Sequence, residues 1–275
     1  MKISKTLYIR YLFTLLLPLS GLLQACDMIE YHPYDLDIDG ETEVNARNIQ
    51  RIETALDGKK EFSFAVISDT QRWYDETEDA VADMNEKGGI DFVVHTGDLS
   101  DFGMKLEFEK QRDILNGLSV PYVCLLGNHD CLATGKEVFN RIFGEENFSF
   151  TAGDVLFICL NTNALEFDYS DAIPDFSFLE KLLKNLSPDI RRTIVAMHAG
   201  PYSEQFNNNV ARAFQLYLRQ FPGLQFCVYG HGHSIQVNDF FDDGILYYEC
   251  TCAKKRAYLR FTLKENEYLY EVVNY

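Results

Sequence analysis

FSFAVISDTQ, residues 62 to 71, passes from a run rich in Phe, Ala, Val and Ile directly into Asp69, Thr70 and Gln71. A short apolar run bounded by polar turn formers reads as a buried strand. The pattern recurs four times. Ile90 to Thr96 ends at Gly97 and Asp98, and Val120 to Leu126 ends at Gly127, Asn128 and His129. Thr193 to Met197 ends at His198, and Leu224 to Tyr229 ends at Gly230 and His231. Between these runs, periodicity predicts helices over 77–87, 104–116, 136–143, 176–186 and 209–220, with further strands near 148–151 and 155–161. Strands alternating with helices imply βαβ units and a mainly parallel sheet. In such sheets ligands sit beyond the carboxyl ends of the strands, so the five loops can converge although they are far apart in sequence. After Gly244, strand-like runs at 245–252, 257–263 and 267–273 suggest added antiparallel hairpins.

At 275 residues and 47% hydrophobic content the chain can bury a sizeable core, and no Pro/Gly/Ser-rich break divides it after residue 61. The expected organisation is a signal peptide at 1–25, an acidic tether at 26–60 holding a possible short helix at 45–56, and a catalytic domain at 61–275. Lys2, Lys5 and Arg10 precede a mostly apolar run from Tyr11 to Ala25, interrupted by Pro18, Ser20 and Gly21. That run is short of the about 20 residues a spanning helix needs, which favours a signal peptide. Leu23-Gln24-Ala25-Cys26 resembles the lipobox of a bacterial lipoprotein, which implies cleavage before Cys26, an acylated thiol and membrane attachment in the cell envelope.

The formal charge is −17, and removing residues 1–25 takes away three cations and no anions. So acidic a body is poorly suited to nucleic acid or to an anionic bilayer surface. Of the seven cysteines, Cys124, Cys159 and Cys227 fall within strands and read as small buried hydrophobes, and the Cys250–Cys252 pair reads the same way.

Four of the six histidines, His129, His198, His231 and His233, lie at the strand ends, whereas His95 sits mid-strand and reads as a core residue. Asp69, Asp98, Asn128, His198, His231 and His233 offer oxygen and imidazole donors without thiolate. This set suits Mn, Fe, Zn or Mg. Two such ions held by a bridging carboxylate would activate a water for attack on a phosphate ester. His129 is placed to protonate the leaving group, and Asp101 can orient its imidazole.

The ordered series SDTQ at 68–71, GDLSD at 97–101, GNHD at 127–130, His198 and GHGH at 230–233 resembles the calcineurin-like metallophosphoesterase family over about residues 61–235. The resemblance implies a four-layer α/β/β/α sandwich of two mixed sheets and a dinuclear centre. It implies Asp98 as the bridging ligand, Asp69 and His233 on one metal, and Asn128, His198 and His231 on the other. His129 with Asp101 would form the acid dyad. Two positions depart from the family pattern. Gln71 stands where the family usually has His, and as a neutral, weaker donor it either ligates a metal or hydrogen-bonds beside it. Phe102 stands where the Ser/Thr protein phosphatases of the family carry a phosphate-clamping Arg, which argues against a phosphoprotein substrate. The expected activity is hydrolysis of phosphomonoesters or phosphodiesters; the alternative is a weakened family member that binds a phosphorylated ligand or partner.

Overall fold

The computed structural model describes residue 32, residues 35–167 and residues 171–275. The expected signal peptide and Cys26 lie outside these residues. The folded unit runs from Leu36 to Tyr275. Eleven strands occur in it: β1 (Phe62–Ile67), β2 (Phe92–His95), β3 (Tyr122–Cys124), β4 (Phe148–Ala152), β5 (Val155–Leu160), β6 (Arg192–Met197), β7 (Leu224–Tyr229), β8 (Gln236–Asn238), β9 (Leu246–Glu249), β10 (Ala257–Leu263) and β11 (Tyr268–Asn274). The helices are α1 (Val44–Leu56), α2 (Tyr74–Lys87), α3 (Lys105–Leu115), α4 (Gly135–Ile142), α5 (Phe176–Lys184) and α6 (Ala211–Leu218).

Two mixed sheets form, with strand orders β11-β10-β1-β2-β3 and β4-β5-β6-β7-β9-β8. The five strands whose ends carry the motifs run parallel to one another within each sheet: β1 with β2, β2 with β3, and β6 with β7. Alternation within each strand makes the layers. Phe62, Phe64 and Val66 of β1 join Phe157, Phe226 and Phe261 in the core between the sheets, while Ala65 and Ile67 face the helical layer with Met84, Phe108 and Phe139. Phe226 lies 4.6 Å from Phe261 and Phe64 lies 5.2 Å from Phe157, centroid to centroid, so aromatic rings set the spacing between the sheets. On the far side, α5 and α6 cover the second sheet through Leu179, Phe214 and Leu218. The four-layer α/β/β/α sandwich expected from the sequence is the observed fold.

Three local readings change. Residues expected to act as a tether are packed from Leu36 onward: Leu36 and Ile38 lie against the helical-layer core, and Lys105 Nζ donates to the Asp37 carbonyl at 2.7 Å. In α1, Asn45 exchanges both amide hydrogen bonds with the backbone of Cys124 at 2.8 Å, closing the free edge of β3. The run after Gly244 does not form a simple succession of hairpins. β9 lies parallel to β7 in the second sheet, whereas β10 and β11 form a hairpin on the first, antiparallel to β1. The three-residue strand β8 has too little pattern to be found from sequence. Cys124, Cys159, Cys227, Cys250 and Cys252 are buried free thiols, consistent with their reading as small hydrophobes.

Candidate metal centre

Backbone geometry marks the site before its chemistry does. Asp69 (φ 52°), Asp98 (φ 60°), His231 (φ 69°) and His233 (φ 55°) all adopt left-handed backbone conformations. For residues with side chains this costs about 1–3 kcal/mol each and persists only where the surroundings impose it.

Several groups impose it here. The Asp130 carboxylate accepts the backbone N–H groups of Asp98, Leu99, Ser100 and Gly127 at 2.8–2.9 Å, binding the loop after β2 to the loop after β3. His95 is fully buried, its Nδ1 accepts from the Gly97 N–H at 3.1 Å, and its Nε2 therefore donates to Thr70 Oγ1 at 2.9 Å. Burial, ahead of neighbouring charges, lowers its pKa to about 3, so the ring remains neutral. Glycine is required where backbones meet. A side chain at Gly127 would collide with Asp98, and one at Gly230 with Ser68 and Asp69.

The resulting constellation draws on both sheets. Asp69, Asp98 and His198 are buried, and each places one ligand atom within 4.8 Å of the others. Asp98 Oδ1 lies 3.4 Å and Asn128 Oδ1 lies 3.0 Å from His198 Nε2. Asn128 Oδ1 also lies 3.0 Å from His231 Nδ1, and His233 Nε2 lies 3.1 Å from Asp69 Oδ1. Gln71 joins them: its Nε2 donates to Asp98 Oδ2 at 3.3 Å, while its buried Oε1 has no hydrogen-bond partner. Every ligand candidate from the sequence therefore reaches one locality.

The donor set fits divalent cations. His198 Nδ1 donates to the Thr96 carbonyl at 2.9 Å, which leaves the lone pair on Nε2. Burial lowers the His198 pKa to about 4, so the ring is neutral and its Nε2 lone pair faces Asp98. Burial, then the charges of Asp69 and Asp130, pushes the Asp98 carboxyl well above the usual range. For Asp69, burial acts upward too, but His233, His198 and Ser68 outweigh it and hold the group at about 2. Buried carboxylates and lone pairs crowded together are stabilised by cation binding.

His129 and Asp101 lie beside this cluster. His129 Nδ1 donates to the backbone carbonyl of Asp101 at 2.9 Å, and the Asp101 carboxylate is farther, at 3.6 Å. That carboxylate is paired with the guanidinium of Arg72, itself in a left-handed conformation at φ 60°. The imidazole is thus oriented by a main-chain oxygen rather than by the expected carboxylate. The first loop thus brings a guanidinium against Asp101.

Sequence reading also missed Glu204, whose Oε1 lies 3.0 Å from His231 Nε2 and leaves Nδ1 as the ring nitrogen available to a metal. Nothing local announces it, since Glu204 is separated from His231 by 27 residues. Asp130 was more accessible, as the fourth residue of GNHD.

The family model for calcineurin-like phosphoesterases matches residues 62–234. The chain belongs to this family. A 3′,5′-cyclic-nucleotide phosphodiesterase from Nostoc sp. is 28% identical over 153 residues, covering 53% of this chain and 56% of the relative. The DNA double-strand break repair protein Mre11 of Sulfolobus acidocaldarius is 28% identical over 170 residues, covering 56% of this chain and 41% of the relative. The match thus spans about half the length of these curated relatives. Among solved structures, a dimetal phosphatase from Danio rerio superposes with a TM-score of 0.61 at 13% identity, covering 78% of this chain and 96% of that one. Purple acid phosphatase PPD1 from yellow lupin gives a TM-score of 0.60 at 13% identity, covering 78% and 51%. At such identities these structures share the fold.

Proposed function

We propose that the chain hydrolyses phosphate esters at a dinuclear centre. Asp98 would bridge the two divalent ions, Asp69, His233 and Gln71 would hold one, and Asn128, His198 and His231 would hold the other. The observation that carries this reading is the convergence of Asp69, Asp98 and His198 donor atoms within 4.8 Å, with the His198 lone pair turned toward Asp98. When bound, the ions would supply a nucleophile from water and charge for the phosphoryl oxygens.

The protein's own groups do the rest. With Nδ1–H engaged by the Asp101 carbonyl, a second proton on His129 must reside on Nε2. That proton can be given to the oxygen leaving phosphorus. Arg72, held by Asp101, adds positive charge beside the same imidazole. Asp130 and His95 keep the ligand loops in register.

The cyclic-nucleotide phosphodiesterase relative favours diesters among the possible substrates. Purified protein supplied with Mn, Fe, Zn or Mg should hydrolyse aryl phosphodiesters or monoesters, and should lose this activity on chelation and in Asp98→Ala. Absence of hydrolysis across metals and substrates, together with fewer than two ions per chain, would sink the proposal and favour a phosphate-binding protein.

For location we propose export and lipid attachment at Cys26, supported by the sequence LQAC at 23–26. A Cys26→Ala variant should leave the membrane fraction.

A further inference from the structure

We propose that the cavity beside His231 receives the organic group of the ester and selects an uncharged, planar ring system. This rests on the hydrolytic reading above, since it places the alcohol part of the same substrate. The cavity measures about 460 Å³ and is lined by Tyr202, Tyr229, Phe240, Gln236, Asn238 and Glu249, together with His231. Its size lies within the range of small-molecule sites, and its continuity with a ligand histidine ties it to the reaction.

Tyr202 is the informative residue. It is half exposed, yet holds a left-handed backbone at φ 70°. A bulky side chain adopts that conformation only under constraint, and such constraint gathers at functional positions. Here Asn208 imposes it, accepting the Tyr202 N–H and donating to the Ser203 carbonyl, both at 2.8 Å. The Tyr202 ring packs edge-on against Phe240 at 5.7 Å, and Phe240 continues to Tyr229 at 6.1 Å. An aromatic wall thus runs inward from the surface, suited to the face or edge of a planar ring.

Charge narrows the ligand. Glu204 and Glu249 belong to the lining, and among the described residues neither Lys nor Arg does. Glu249 is fixed, accepting from Ser234 Oγ at 2.9 Å and from the Tyr229 hydroxyl at 3.2 Å. An anionic group on the ring would be repelled by these carboxylates. The amides of Gln236 and Asn238 supply hydrogen-bonding groups for a heteroaromatic edge.

Uridine, orotidine and ribose test the idea as probes, with binding to the full metal-loaded chain followed by calorimetry. Uridine should bind and compete with ester hydrolysis. Ribose, which lacks the ring, and orotidine, which adds a carboxylate to it, should bind at least tenfold more weakly. Tyr202→Ala should weaken uridine about three- to tenfold, in line with the loss of one aromatic contact, while retaining the metal content and unfolding midpoint of the parent. Equal binding of uridine and ribose, or unchanged uridine affinity in Tyr202→Ala with metal content intact, would overturn the subsite. Uridine binding that is sensitive to Tyr202 without hydrolysis of any ester would uphold the subsite and defeat the hydrolytic reading; hydrolysis without uridine binding would do the reverse.

Discussion

The carboxylate of Asp130 accepts the backbone N–H of Asp98 at 2.9 Å. A residue outside the proposed ligand set thereby controls the conformation of its central member. Asp130→Ala would strand the N–H groups of Gly127, Asp98, Leu99 and Ser100 in a buried loop. At about 1–3 kcal/mol for each unsatisfied donor, the variant should lose at least about 4 kcal/mol of stability. Urea denaturation checks this, and a loss below about 1 kcal/mol would show that the loops hold themselves.

Gln71 should tune one ion and spare the other. Its Oε1 is buried without a hydrogen-bond partner while its Nε2 reaches Asp98. Gln71→Leu removes the amide donor and should weaken one of two binding steps by about 10–100-fold, whereas Gln71→His should strengthen that step. Metal titration followed by elemental analysis separates the steps. Identical isotherms for all three proteins would exclude Gln71 from the centre.

Glu204 should act through His231. Its carboxylate accepts from Nε2 at 3.0 Å and so would leave Nδ1 for the proposed ion. Glu204→Ala should lower affinity at one ion by about tenfold or more, with Glu204→Gln retaining part of it through its amide oxygen. The same titration decides, and a Glu204→Ala protein with parental affinity at both steps would refute the role.

Acid should destabilise the metal-free protein through two imidazoles. Burial lowers the pKa of His95 to about 3 and of His198 to about 4, against an ordinary 6.5 in the unfolded chain. Both folded values are depressed, so below pH 6.5 the unfolded state binds protons that the folded state refuses. The contribution of these two rings is complete above that pH and falls as the pH drops toward 4, by up to about 1.4 kcal/mol per pH unit for each ring, while the raised carboxyl of Asp98 acts in the opposite sense. Urea midpoints for chelated protein, taken from pH 7 to 4.5, should show this slope reduced by about one proton in His95→Gln. An unchanged slope would mean that His95 titrates normally.

Much of the architecture could be read from residue order because the apolar runs are short, dense and closed by Gly, Asp or His. β1, β7 and β10 lie within one residue of their expected bounds for that reason. The seven candidate ligands were legible because each stands just beyond the end of a strand. What escaped depends on tertiary neighbours. Glu204 has meaning only once its loop folds back to His231, and Arg72 only once the loops after β1 and β2 touch. Asp101 was assigned through its side chain, whereas the folded chain presents its main-chain oxygen to His129. β8 is a three-residue pairing created by β9. α1 and the residues before it join the body because Val44, Ile52 and Leu56 find cores that a polar-looking segment does not advertise.

The donors are divided between the two sheets. Asp69, Gln71, Asp98 and Asn128 come from the loops of the first, and His198, His231 and His233 from those of the second. Any ion bound by both groups is a clasp across the sandwich, so its binding energy and the docking of the two halves are one linked quantity. At one hundred times its dissociation constant, such an ion would add about 2.7 kcal/mol to stability. Cation supply would then set the stability of the folded protein as well as its rate of turnover.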